Sequence, residues 1–495
     1  MTSALLWTAI DAAAATDGMS IGDWAATGVS IDSRTTRPGD LFVALRGPTF
    51  DGHDYVADAF ANGATAAVVH RAGRGVNPDA PLLIVDDTMD ALADLGTYAR
   101  LRTAARVVGV TGSVGKTGTK EALRLALEAQ ADGAGRTFAT TGNLNNHWGV
   151  PLSLARMPAD SRYGVFELGM NHAGEIAPLS RLVKPDVSII TTVEAVHIEN
   201  FDSVEGIADA KAEIFAGMGP GGVAVLNRDN PHFPRLVAHA RTQGIGRIWS
   251  FGEHADADAR LVDCSLHATA SAVNAVIRGE PIQYSLSAPG RHWVMNSLAV
   301  LLAVRALGGD PTVAARALSR IQPMRGRGQR TRIRIRDEAG TAGGFLLIDE
   351  SYNASPVSVG AALKVLARTD LGDDGRRIAV LGDMLELGDH AAALHVGLKK
   401  DLVAAEVDQV FACGPMMAKL YDALPPGMRG GYAPDAASLA PMAAAAVRPG
   451  DAVVVKGSLG SRMALVVDAL QALDIREEEE AGRGTAHPFK LVSGG

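Results

Sequence analysis

The run TGSVGKT, Thr111 to Thr117, decides the fold of this chain. It follows an apolar segment, Val107 to Val110, that reads as a buried strand, and it precedes a helical pattern with Leu123 and Leu127 on one face. A strand, a glycine-rich turn and a helix in that order aim successive backbone N–H groups and a helix N-terminus at one point, which stabilises phosphate. Thr111, Gly112, Ser113, Val114, Gly115 and Gly118 would wrap a nucleotide, with Lys116 on the outer phosphates and the Thr117 hydroxyl on magnesium. The strict pattern wants a glycine five residues before Gly115; Val110 stands there, and Gly109 lies one place early. The strand–turn–helix context still predicts an ATP site.

The chain has 495 residues, too many for one core, and this predicts about three domains. With 47% hydrophobic and 21% charged residues, the composition is that of a soluble globular protein. A net charge of −8 and a pI of about 5.9 offer no basic surface to steer nucleic acid. Cys264 and Cys413 lack metal-ligand spacing and suit free thiols in a reducing bacterial cytoplasm. The N-terminus lacks the basic start of a signal peptide, and no apolar run nears the ~18 residues a membrane span needs. No nucleic-acid or membrane partner is expected, and the expected state is a monomer.

The pattern predicts an α/β protein in three parts. Residues 1–104 read as a small α/β unit with strands at AAVVH (Ala66 to His70) and PLLIVDD (Pro81 to Asp87). Residues 105–328 begin with the P-loop and continue through YGVFELG, DVSIITTV and GGVAVLN, which predicts a doubly wound, mostly parallel sheet. Residues 329–475 restart with GFLLIDE, RRIAVLGD, QVFACG and DAVVVKGS, a Rossmann-like pattern with ligands expected at the carboxyl ends of its strands. The alternation in RGRGQRTRIRIR suggests an edge strand, Arg325 excepted. Residues 476–495 read as a disordered tail.

Several polar residues close these strands. Glu167 ends VFE level with the P-loop and is either the acid that helps hold magnesium or a solvated strand-end glutamate. His197 alone would be a packed or surface histidine, but it follows the next strand at the same sheet edge. Lys211, in DAKAEIF, is by default a solvent lysine. Asp349 and Asn353, in LLIDESYNASP, offer a ribose or lysine contact and a seat for a small zwitterion; an ordinary strand-to-helix turn is the alternative. His292 and Asn296 share a helix face, where Asn296 either reads adenine or simply caps or packs.

In this order TGSVGKT, TGNLNNHWGVPLSL, ELGMNHAGEI, AVHIENF, KAEIF, GRHWVMNSL, IDESYNASP and LGDMLELG resemble the Mur ligase family, the ATP-dependent amino-acid ligases of peptidoglycan synthesis. The resemblance runs from about Ser30 to about Leu470. It implies ATP and two magnesium ions as cofactors, with Lys116, Thr117 and Glu167 at the first metal. It implies His197 and a Lys211 carbamylated by CO₂ at the second. Asn296, Arg325 and Asp349 would contact the nucleotide. Asp32, Ser33 and Arg34, with Phe50, Asp51, Gly52 and His53, match uridine-diphosphate-binding turns. Asn145 and Asn146 would face the acceptor, and Asn353 and Ser355 the incoming amino acid. The ELGMNHAGEI and IDESYNASP forms are similar to those of the member joining D-Ala-D-Ala to UDP-MurNAc-tripeptide through an acyl phosphate. KGSLGSRM, Lys456 to Met463, keeps the family's KGS start and leaves the role of Arg462 open. The rivals are a folylpolyglutamate-synthase-like ligase, a P-loop switch or motor, and a non-catalytic nucleotide-sugar binder.

Overall fold

The computed structural model describes residues 5–475, apart from 72, 74, 78, 131–136, 197 and 337–339. The expected tail therefore lies outside the described residues. The chain builds three large sheets, and the P-loop sits in the middle of the largest.

That central sheet has nine strands, in the order Glu280–Leu286, Ser271–Ile277, Ala259–Leu266, Arg247–Gly252, Val223–Asn227, Val187–Ile190, Arg106–Thr111, Tyr163–Glu167 and Thr137–Ala139. All pairings from Thr137–Ala139 to Ala259–Leu266 are parallel. The other two strands add an antiparallel meander that the sequence reading did not anticipate. Its alternating exposure marks a sheet with one wet face. The strand Arg106–Thr111 is flanked by Val187–Ile190 and Tyr163–Glu167, so the chain leaves it in both directions. Such a switch point opens a crevice at the carboxyl ends of the strands. One apolar core packs the helices Lys116–Gln130 and Arg291–Ala306 on one face, and another packs Ile176–Val183 and Phe233–Thr242 on the other.

The first sheet has five strands, Met19–Ile21, Leu82–Ile84, Ala66–Val69, Asp40–Val43 and Gly28–Ser30. Its core does not stop at its own helices but continues into Leu152 and Ala155 of the helix Gly149–Ala155. The fully buried Trp7 donates its indole N–H to the Ala155 carbonyl at 2.9 Å.

The third sheet has six strands, Gln329–Arg336, Ala342–Glu350, Ala452–Lys456, Arg377–Gly382, Gln409–Cys413 and Arg429–Ala433. The expected edge strand is Gln329–Arg336, antiparallel to its neighbour, and the rest pair in parallel. Arg429–Ala433, short and glycine-bearing, was not foreseen.

Candidate active site

Between the central and third sheets lies a cavity of about 770 Å³. The P-loop forms its floor. Gly115 has a φ of +86°, and a Cβ there would meet the Asn296 amide nitrogen at 2.6 Å, so only glycine lets the loop lie against the helix Arg291–Ala306. Ser113, Val114, Gly115, Lys116, Thr117 and Gly118 line the cavity, while Thr111 and Gly112 lie beneath it. Lys116 folds back and donates to the Gly112 carbonyl at 2.7 Å. Burial pushes its ammonium below the usual lysine range, Glu167 pulls it back up, and Arg327 pushes it down again.

Glu167 ends its strand opposite Val110, only 1% exposed. One of its oxygens accepts from the Thr117 hydroxyl at 2.9 Å, the other from the Asn145 amide at 2.8 Å. Both partners are neutral, so a buried carboxylate and a hydroxyl share one edge of the cavity. That donor set fits a hard, oxygen-seeking divalent cation such as magnesium.

Lys211 is not a solvent lysine. It lies on the helix Val204–Ala212, is 2% exposed, and is close enough to Lys116 for the two charges to interact. Burial holds its ammonium well below the usual range and the nearby Lys116 adds to this, against a smaller opposite pull from Glu213. A neutral amine is the form that reacts with CO₂, so the environment fits a carbamate. His197 lies outside the described residues.

The third sheet supplies the opposite wall. Glu350 and Lys456 stand side by side at the ends of neighbouring parallel strands. The Lys456 ammonium, nearly buried, donates to the Glu350 carboxylate at 3.3 Å and to the Asn353 carbonyl at 2.9 Å. Asn353 and Ser355 both line the cavity, and Ser355 also caps the helix Pro356–Ala367 in a reciprocal pair with Ser358. Asn145, Asn146, His292 and Asn296 reach the same space.

Two expected nucleotide contacts lie elsewhere. Arg325 turns outward and pairs with Asp468 at 2.5 Å, whereas Arg327 lines the cavity with its guanidinium 4.1 Å from the Tyr352 ring centre. The chain turns through left-handed backbone at Gly326 and Gly328, so spacing alone could not tell which arginine faces inward. Asp349 is buried behind the wall, accepting from the Gly326 N–H at 2.8 Å and the Ser351 hydroxyl at 2.6 Å. Its neighbour Glu350 takes the cavity side, as strand alternation requires. Sequence reasoning thus missed Arg327, Glu350, Tyr352 and Lys456. For Glu350 and Lys456 the usable signal was a charged residue closing an apolar parallel strand, the same signal that picked out Glu167.

The first-sheet residues do not line this cavity. Arg34 is exposed and paired with Asp32, and the Ser33 carbonyl accepts from Asn62 at 2.9 Å. Phe50 meets Trp148 edge-on with ring centres 6.1 Å apart. His53, fully buried, accepts the His70 backbone N–H on Nε2 at 3.1 Å, so its Nδ1–H donates to Asp51 at 2.6 Å. His53 therefore organises the turn that Asp51 and Gly52 form. Arg462 closes a short 3₁₀ turn in left-handed backbone.

Three family models match successive stretches of the chain: a Mur ligase family catalytic domain over 25–99, a Mur ligase middle domain over 110–304 and a Mur ligase glutamate ligase domain over 331–459. The UDP-N-acetylmuramoyl-tripeptide–D-alanyl-D-alanine ligase of Escherichia coli (strain K12) is 35% identical over 90% of this chain and 93% of its own. The chain belongs to the Mur ligase family. Among solved Mur ligases, MurF from Acinetobacter baumannii superposes with a TM-score of 0.80 at 30% identity, covering 95% of this chain and all of its own. The MurF ligase from Thermotoga maritima in complex with ADP gives 0.72 at 28% identity, covering 90% of this chain and 97% of its own. The α/β architecture expected from the P-loop is therefore that of a three-domain Mur ligase.

Proposed function

We propose that this Mur ligase joins D-alanyl-D-alanine to UDP-N-acetylmuramoyl-tripeptide at the expense of ATP, giving the pentapeptide precursor of peptidoglycan. One observation carries the reading. The phosphate-binding floor at Lys116 and the polar wall at Glu350, Asn353 and Lys456 face each other across one cavity, on a chain 35% identical over 90% of its length to a ligase of that name.

We read residues 1–104 as the UDP-sugar unit, 105–328 as the ATP unit and 329–475 as the D-Ala-D-Ala unit. The acceptor's terminal carboxylate attacks the γ-phosphorus of ATP. The bond to ADP breaks, and an acyl phosphate forms. The dipeptide amine then adds to the carbonyl carbon, loses its proton, and phosphate departs. Negative charge collects on oxygens in both steps, and Lys116, at the start of the P-loop helix, and Arg327, in the turn before the third sheet, line the space where it gathers. Asn353 and Ser355 offer polar groups to the dipeptide, and Asn145 and Asn146 to the acceptor.

Thr117 and Glu167 would hold one magnesium ion, and His197 with carbamylated Lys211 a second; bound there, the metal offsets phosphate charge. A monomer is the state we read for it. Among the described residues no helix is long and apolar enough to cross a membrane. We place its work in the bacterial cytoplasm, where ATP and nucleotide-linked precursors are at hand.

The test is phosphate release from ATP with magnesium, adding the UDP-linked tripeptide and D-Ala-D-Ala together or singly. Release that requires both, with a pentapeptide product by mass, is the expected result. Release indifferent to either substrate would overturn the reading.

A further inference from the structure

One buried cation stands apart from the machinery above. Lys120 lies one helical turn beyond Lys116 on the helix Lys116–Gln130, is 1% exposed and does not line the cavity. The rest of the helix's buried face consists of Thr117, Thr119, Ala122, Leu123, Ala126 and Leu127, so Lys120 is its one buried charge. A buried ammonium persists only where it is paired. Lys120 has two partners: the Thr140 carbonyl at 2.6 Å and the Glu121 carboxylate at 3.0 Å.

The first partner gives the lysine its meaning. Thr140 extends the backbone ladder one residue past the strand Thr137–Ala139, its N–H donating to the Val165 carbonyl at 3.0 Å. Beyond it the chain leaves the sheet as residues 140–148. That loop carries Asn145, which is bonded to Glu167, Asn146, which accepts from the Gly149 N–H at 2.9 Å, and Trp148, which meets Phe50 of the first sheet. At its far end the loop is tied by the Gly169 N–H to the Asn145 carbonyl at 2.7 Å. At its root the side-chain tie is Lys120. The second partner, Glu121, lines the cavity and is gripped by Arg124 as well.

We propose that Lys120 is a positioning residue for the acceptor: its grip on the Thr140 carbonyl locks loop 140–148 to the P-loop helix and so sets where Asn145 and Asn146 meet the UDP-linked substrate. The proposal rests on the acceptor reading given above. The decisive experiment compares the full-length wild type with Lys120→Met and Lys120→Arg by calorimetric binding of UDP-MurNAc-tripeptide and, separately, of a non-hydrolysable ATP analogue. Loss of a charge-assisted hydrogen bond should weaken acceptor binding about tenfold or more in Lys120→Met. Nucleotide binding should stay within about twofold, and Lys120→Arg should recover most of the acceptor affinity. Equal losses for both ligands would mean a general helix defect and overturn the proposal, as would unchanged acceptor binding. Amide hydrogen exchange of ligand-free Lys120→Gln gives a second measurement, available even if Lys120→Met fails to fold. Faster exchange confined to 140–148 supports the anchor, and exchange unchanged there overturns it. This readout uses no substrate, so it stays separate from any failure of the acceptor assignment.

Discussion

The Thr117 hydroxyl donates to the Glu167 carboxylate across 2.9 Å, linking the first turn of the P-loop helix to the end of the neighbouring strand. Both groups are buried, so the pair is held ready before any ligand arrives. Glu167→Gln keeps the shape and removes the charge. We expect kcat to fall by at least ~10²-fold with an unchanged circular dichroism spectrum. Near-normal turnover would remove Glu167 from the reaction.

The two arginines two residues apart make opposite predictions. Arg327→Ala should raise the KM for ATP or lower kcat by about tenfold or more, since it strips a cation from the cavity. Arg325→Ala breaks only an exposed pair with Asp468 and should stay within about twofold of wild type. Steady-state kinetics on both variants decides, and the reverse ranking would return the nucleotide contact to Arg325.

Asp349 and Glu350 divide in the same way. Asp349→Asn disturbs buried hydrogen bonds to Gly326 and Ser351 and should cost about 1–3 kcal/mol of stability, read by urea unfolding. Glu350→Gln keeps an oxygen beside Lys456, which also holds the Asn353 carbonyl, so it should cost less stability than Asp349→Asn and act on substrate KM. A large stability loss from Glu350→Gln, with silent kinetics, would contradict the placement of the two side chains.

These pairs show what the sequence could and could not disclose. The strand, turn and helix around Lys116, the parallel strands closing in Glu167 and Lys456, and the edge strand Gln329–Arg336 follow from apolar runs and their punctuation. Which of two adjacent strand residues faces a ligand depends on what covers the other face, and that is tertiary information. The burial of Lys211 was equally hidden, because a lysine on a helix reads as solvated until the neighbouring helix is in place. In the antiparallel meander after Gly252 the turn at Leu266–Ser271 carries no glycine, whereas the tight turn at Arg278–Gly279 is a glycine-marked signal that the reading passed over.

Lys211→Ala should be nearly inactive, with at least ~10²-fold loss, and partly rescued by added short carboxylates if the working group is a carbamate. Wild-type enzyme in CO₂-depleted buffer should lose rate and regain it with bicarbonate. A wild-type rate in the unrescued variant would exclude the carbamate.

His395 gives a pH prediction away from the cavity. It is fully buried, accepts the Met384 N–H on Nε2 at 2.9 Å and donates from Nδ1 to the Ala391 carbonyl at 2.6 Å. Burial holds its imidazole below the ordinary 6.5, with the Ala391 carbonyl and Asp383 pulling the other way. The unfolded chain therefore binds the proton more readily. Stability from this group is intact above about pH 6.5 and declines as pH falls below it, by under about 1.4 kcal/mol per pH unit. Thermal unfolding between pH 7 and 5 should show a shallower decline in His395→Gln, and equal slopes would rule the histidine out.

Leu152 and Ala155 belong by sequence to the middle of the chain, yet they fill the core beneath the first sheet, where the Trp7 indole donates to the Ala155 carbonyl. Mechanically, then, the three parts reduce to two bodies, because sliding the first over the second would tear open a shared interior. On the proposed reading, the acceptor's half of the site is built on this shared core. On the same reading the amino-acid half lies on a separate sheet, joined by the chain through the turns at Gly326 and Gly328 and by the Arg330 guanidinium on the Ala268 carbonyl, and we expect its distance from the P-loop to be the adjustable dimension. Compounds shaped to the acceptor's half would meet one contour, and those spanning the gap would have to choose a width.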